Sequence, residues 1–291
     1  MSIENKVTVI TDSGCSVRPE SSLANEHDLS IVPLDVKFFE KNHWVSYQDN
    51  ADLPPASFYE KMRNNAKLPQ TSGVITGRLV PLYEANAKEN QPVISIHITS
   101  KHSTAWESAV LASNIVRVDN PHLLLEVIDS RQVSAGIWFL AQQAATLAEE
   151  GYPLEDIKKI TLETIPKIET FTSLSTFENI VKGGRLPEVA RYLGSKLQLR
   201  PFAGIVNGEI KFQNLVRTDG HVQREIIKRV ENTKEDITRL AILHTNFPEG
   251  AALLKENLSR IYSKEILIID AGPTIAVHTG ERGLGISLQK V

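Results

Sequence analysis

A single cysteine, Cys15, stands among the 291 residues, so no disulfide can close within the chain and a reducing, cytoplasmic setting is expected. Charge of either sign is not in excess: 32 basic against 35 acidic residues leave −3, and no basic run occurs. That excludes the electrostatic footprint of a nucleic-acid partner. Long apolar runs are missing as well. The opening MSIENKVTVITDSG has an early acid and only a strand-length apolar run, which argues against a signal peptide or stable membrane insertion. No pair of histidines or acids has metal-ligand spacing; His97 and His102 are neither helical neighbours nor on one strand face, so no metal is expected. Gly280, Gly283 and Gly285 are spaced wrongly for a dinucleotide loop, and no ATP motif is visible, so no cofactor is expected.

The composition that remains is that of a soluble globular protein, with 41% hydrophobic and 23% charged residues. The length fits two domains. Apolar runs at Lys6–Thr11, Ile31–Phe39, Val93–Thr99 and Leu123–Asp129 read as strands. They alternate with helical patterns at Ala56–Asn65, Thr104–Val118, Gly136–Glu149 and Leu154–Ile165. Such alternation predicts an α/β fold, with an N-terminal mostly parallel sheet domain covered by helices over 1–165. Proline and glycine in Leu68–Gly73 argue for a loop there. A smaller C-terminal mixed α+β domain is expected over 166–291, with the 54–75 segment packing on it. Its elements are helices Gly220–Glu231 and Glu249–Ser263, strands Leu240–Thr245 and Glu265–Asp270, and a last strand at Ile275–His278.

The stretch Phe171–Thr218 is the most structured in local signals. Ser175 with Glu178 has capping-box spacing, and Gly183-Gly184 stops the helix just before Arg185. Pro187 opens a second helix with Leu186, Val189, Ala190, Leu193 and Leu197 on one face. Asn207-Gly208 between apolar runs predicts a hairpin, with Arg217 beyond it.

Several polar groups follow expected strands, where open α/β sheets bind ligands. They are Thr11-Asp12-Ser13-Gly14, the Ser103 region, Asp129-Ser130 and His278. Plain structural roles compete with each: Asp12 and Asp129 as loop or helix caps, Ser103 as an N-cap, His97 as a satisfied core histidine. Cys15 precedes a possible helix start, an environment that lowers a thiol pKa, but no histidine partner can be assigned. A stand-alone small-molecule phosphotransferase or hydrolase using Ser13, Cys15 or His278 is therefore the alternative function.

Taken together, VTVITDSG, Thr71-Ser72 after a proline loop, ITSKHSTAWESA, VIDSRQVSAG, KGGRLPEVARYLGSKLQLRP, NGEI, VRT and VHTGERGLG run almost end to end. In order and spacing the chain resembles the DegV family, bacterial fatty-acid-binding proteins that carry acyl groups for a fatty acid kinase. The resemblance implies a long-chain fatty acid at the domain interface, its carboxylate held by Thr71, Ser103 and His278; Ser13, after the first strand, is a further expected ligand-binding residue. It implies a fatty acid kinase catalytic subunit as partner and a lipid-binding rather than enzymatic protein. Arg185, and less directly Arg217, fall where the family's arginines act with the partner or phosphate. Two motifs depart from the family: its SGT is Ser103-Thr104-Ala105, and its HxGPG is His278-Thr279-Gly280-Glu281-Arg282. The second makes Arg282 an expected extra carboxylate partner.

Overall fold

The computed structural model describes residues 6–49, 51–192 and 199–291. Along these residues the strands are β1 (Thr8–Asp12), β2 (Leu29–Val32), β3 (Asp35–Glu40), β4 (His43–Gln48), β5 (Gln70–Ser72), β6 (Val93–His97) and β7 (Leu125–Asp129). They continue with β8 (Ile168–Ser173), β9 (Arg200–Val206), β10 (Glu209–Val216), β11 (Ile237–His244), β12 (Ile266–Asp270) and β13 (Leu284–Lys290). The helices are α1 (Ser22–Asn25), α2 (Pro55–Asn64), α3 (Thr76–Lys88), α4 (Ala105–Asp119) and α5 (Ala135–Glu149). After them come α6 (Leu154–Thr164), α7 (Phe177–Lys182), α8 (Asp219–Thr233), α9 (Pro248–Leu258) and α10 (Gly272–Thr279).

Strands β2-β1-β6-β7 form an all-parallel sheet, and β10-β9-β8-β13-β11-β12 a mixed one in which only β11 and β12 run parallel. Helix α5 lies between them, touching β1, β6, β8 and β13, and it is buried nearly all round. Its alanines allow close approach while Trp138 and Phe139, both fully buried, fill the interlayer space. No described helix is long and apolar enough to cross a membrane.

Three expectations need correction. Ile31–Phe39 is two strands, because Pro33 has no N–H for the ladder; β2 stays in the parallel sheet, whereas β3 joins a separate antiparallel sheet, β4-β3-β5. The Leu68–Gly73 segment is not wholly a loop. Pro69 lies just outside the paired residues, and Gln70–Ser72 add to β3 as a short edge strand. Ile275–His278 is helical. Pro273 suits the first turn, Asp270 Oδ1 accepts the Gly272 N–H at 3.0 Å, and Gly280 at φ 74° closes α10. The last strand is β13, lodged between β8 and β11.

Around Arg185 the local signals hold with one shift. Thr176, not Ser175, caps α7 by accepting the Asn179 N–H, while Ser175 Oγ donates to Thr279 O at 2.8 Å and Glu178 pairs with Lys182. Gly184 takes φ 74° after the helix. The turn from Pro187 is a 3-10 helix to Tyr192, and Leu193 and Leu197 lie outside the described residues. At the β9–β10 hairpin both Asn207 (φ 51°) and Gly208 (φ 85°) have the left-handed backbone of a type I′ turn.

Helix α10 is the piece that joins the layers. It packs on α2, β3, β5 and α7, and Ala276 and Val277 share a core cluster with Val36, Phe38, Phe58 and Tyr59.

Candidate functional site

A cavity of about 610 Å³ opens where the three sheets meet. Its walls are largely apolar, with Leu34, Ile98, Val133, Leu174, Ile205 and Ile275 among them. Polar side chains gather elsewhere on the lining: Thr71 from β5, Ser103 just before α4, His278 from the last turn of α10, and Arg185 after the Gly-Gly corner.

The contacts explain why these residue types sit there. Pairing of Thr71 with Val36 turns the threonine to the α10 side of its sheet, and Thr71 Oγ1 lies 2.9 Å from His278 Nε2. His278 Nδ1 is buried without a partner, and a Cβ on Gly183 would come within 2.5 Å of it. Glycine at 183 is thus what lets α7 close on the imidazole. A proton on Nδ1 would be buried with nothing to receive it. The favoured tautomer carries its proton on Nε2 and donates it to Thr71 Oγ1, which leaves the Thr71 hydroxyl proton for a ligand. Burial, then the charge of Arg185 and the neighbouring His102, push the His278 pKa down to about 3, so the ring is neutral at physiological pH.

Ser103 Oγ accepts the Ala105 N–H at 3.2 Å, which leaves its hydroxyl proton to be donated to another acceptor. Arg185 donates to Gly183 O and, at 3.3 Å, to His102 O. Burial lowers its pKa, and among the described residues no carboxylate forms an ion pair with it. His102, which the sequence reading weighed only as a metal ligand, belongs to the site. It lines the cavity, and its Nε2 accepts the Ile210 N–H at 2.8 Å, which places the neutral ring's proton on Nδ1. Burial and Arg185 hold its pKa below the usual histidine range. Its position in the helix-opening ITSKHS run was the available signal. The arrangement gathers neutral donors and one guanidinium, with Lys101 and Glu107 also on the lining, beside largely apolar walls.

The other expected residues lie elsewhere. Ser13 Oγ donates to Asp49 at 2.8 Å and accepts the Leu34 N–H, so it is engaged inside the protein and off the cavity lining. Arg282 sits on the surface over the Phe247 ring, paired with Asp219 and Glu249 at 3.0 Å each, and does not line the cavity. The left-handed backbone at Arg282 (φ 60°) belongs to the turn that follows Gly280 and leads into β13. Arg217 lines a separate open cleft with Ser175, Arg200 and Asp219. Cys15 is wholly buried and burial pushes its thiol pKa up, which corrects the expectation of a lowered one. His97 is fully buried between Asp12 (2.9 Å) and Ser95 (2.8 Å), a satisfied core histidine. Among the described residues no cluster of three or more His, Cys, Asp or Glu is grouped to hold a metal ion.

Residues 6–291 match the model of the DegV family of uncharacterised proteins. Protein DegV of Bacillus subtilis is 32% identical over 288 residues, covering 96% of this chain and 98% of its own. Among solved structures, DegV of Bacillus subtilis, described as a fatty acid binding protein, superposes with a TM-score of 0.85 at 30% identity over 98% of this chain and 99% of its own. A DegV family protein of Thermus thermophilus, described by its fatty acid binding, gives 0.86 at 25% identity over 98% and 100%.

Proposed function

This chain belongs to the DegV family, and on that premise we propose that its cavity binds a long-chain fatty acid and presents the carboxylate to a partner kinase for acyl-phosphate formation. The observation that carries the reading is the convergence of Thr71, Ser103, His278 and Arg185 on one apolar cavity. The fatty acid binding described for the Bacillus and Thermus proteins supports it.

The physics is a division between tail and head. Burying an acyl chain yields about 0.8 kcal/mol per methylene, so roughly a dozen give ~10 kcal/mol before the costs of association. A buried carboxylate costs several kcal/mol unless it is hydrogen-bonded. Two hydroxyls, the amides at the start of α4 and Arg185 meet that need. Because His278 is neutral, the carboxylate is held mainly by neutral donors and keeps an oxygen able to attack the γ-phosphate of ATP on the partner. Arg185 then neutralises charge on the transferring phosphate or docks the kinase, and Arg217, in its separate cleft, is a second candidate for the partner or phosphate. A stand-alone hydrolase is disfavoured by the burial of Cys15 and the engagement of Ser13 with Asp49.

Oleate titrated into the protein by calorimetry is expected to bind one to one, and the double variant T71V/S103A to bind about tenfold or more weakly. A flat isotherm with the parent protein would sink the reading. With ATP, Mg²⁺ and a fatty acid kinase catalytic subunit, oleoyl phosphate should form only when both proteins are present. Equal product from Arg185→Ala would remove the role given to Arg185.

A further inference from the structure

The tip of the β9–β10 hairpin is seated on the loop that follows β6. Gly208 is buried there at φ 85°, and a Cβ on it would come within 2.7 Å of Thr99 Oγ1. Two hydrogen bonds make the contact. Thr99 Oγ1 donates to Gly208 O at 2.9 Å, and the Ile210 N–H donates to His102 Nε2 at 2.8 Å. Strand β10 is the outer strand of the mixed sheet, so an amide pointing off its open edge needs an acceptor from elsewhere in the chain. His102 supplies it. The loop is itself tied, since the His102 and Ser103 N–H groups donate to Thr99 O at 3.3 and 3.2 Å.

Residues on both sides of this contact line the cavity: Ser100, Lys101 and His102 from the loop, Ile205 and Ile210 from the hairpin. The contact is therefore a seam in the cavity wall. Arg185 lies along it too, donating to His102 O at 3.3 Å.

The imidazole can close the seam only while Nε2 keeps its lone pair. A proton there would set a second donor against the Ile210 N–H. The charged and titratable groups facing the ring are Arg185 beyond α7, Glu209 and Lys211 on β10, and His278 on α10. Lys101 precedes it in the loop, and Glu107 of α4 shares the cavity lining. Burial, then Arg185, keep the ring neutral at physiological pH, with Lys211 adding to them and Glu209 opposing. The folded pKa lies below the unfolded value of 6.5, so the contribution of this bond is whole above that pH and drains as pH falls through the folded value.

We propose that His102 is a positioning residue, the acid-sensitive half of a clasp that with Thr99 holds the β9–β10 hairpin against loop 99–103 and closes the cavity wall over a bound acyl chain. Opening of the seam lets the ligand leave. The link to an acyl chain rests on the fatty-acid reading, whereas the clasp stands on its own contacts.

Amide exchange at Ile210, corrected for the intrinsic effect of pH, reads the clasp in the ligand-free protein. At pH 7.5 His102→Leu is expected to speed it by about tenfold or more, while β11 and β13 keep their protection. Thr99→Val removes only the other hydrogen bond, leaves the ring in place, and should give a smaller rise over residues 208–210. His102→Gln retains an acceptor, its amide oxygen, and cannot titrate. In the wild type, protection of Ile210 should fall as pH drops below 6.5, toward that of His102→Leu; in His102→Gln it should stay flat. Oleate release from the preloaded protein should be about tenfold faster from His102→Leu at pH 7.5, and acid should quicken it more in the wild type than in His102→Gln. Unchanged exchange at Ile210 in His102→Leu, faster exchange throughout the chain, or a pH response that His102→Gln shares would each overturn the clasp. A clasp that loosens while oleate release stays constant would overturn its part in closing the cavity. If the wild type takes up no oleate, the fatty-acid reading fails alone, and the exchange measurements still decide the role of His102.

Discussion

At the scale of single residues the site depends on a histidine kept neutral. His278 is buried beside a guanidinium, and its value near 3 means the unfolded chain protonates first as pH falls. The contribution of His278 to stability is therefore fully present above about pH 6.5 and drains as pH drops toward 3, by at most ~1.4 kcal/mol per pH unit. His278→Gln retains a donor toward Thr71 and removes the titration. Its Tm should fall less steeply than that of the parent between pH 6.5 and 4, measured by thermal unfolding; parallel curves would mean the ring is not buried as described. At neutral pH the same variant should bind oleate within about tenfold of the parent, since the substituted amide still meets the Thr71 hydroxyl. Complete loss of binding would show that the imidazole does more than orient Thr71.

Among the elements, α7, its glycine corner and α10 form one device. The Gly183 backbone lies against His278, so a methyl there, 2.5 Å from Nδ1, must displace the ring or the helix. Gly183→Ala is expected to lower oleate affinity by about tenfold or more and to move the His278 ring resonances. An unchanged ring spectrum would contradict the close approach. The corner itself was readable from the sequence, because Gly-Gly before Arg185 and Asn207-Gly208 in the hairpin each encode a backbone that other residues adopt only at a cost. Long periodic helices such as α4 and α5 were readable for a similar reason: their apolar faces repeat over several turns. Helix α10 was not. Eight residues, most of them buried, show no periodicity, and a short apolar run reads equally as strand. Helix α3 carries Pro81 and polar residues on its exposed face, which hides it. Among the site residues, Ser103 and His278 stood out at strand ends and Arg185 at its glycine corner, Thr71 came from the family resemblance, and the structure brings the four to one cavity. Arg282 was named from proximity in sequence to His278, but Gly280 turns the chain and Arg282 finds Asp219 and Glu249 on the surface. His102 had no local signal strong enough to single it out, since its ring meets the Ile210 N–H of a strand far away in sequence.

For the molecule as a whole, the cavity is the feature that both large sheets and the three-stranded sheet share. Ile98 and Val133 come from connections at the parallel sheet, Thr170 and Ala203 from the mixed sheet, Thr71 from β5. A ligand there touches every layer, so its binding energy adds to the stability of the whole. At a free concentration 100 times its Kd, oleate should stabilise the folded state by about 2.7 kcal/mol and raise the Tm by several degrees. A fatty alcohol of equal length should give a smaller rise, because it brings no charge to Arg185. Equal rises from acid and alcohol would leave the polar groups of the cavity without a part in recognition.

The most direct measurement is native mass spectrometry of the protein after incubation with oleate and removal of the excess. The account predicts one added mass equal to a single oleate in the parent, and its loss or sharp reduction in T71V/S103A. A clean unliganded mass for the parent, or equal retention by the double variant, would contradict it.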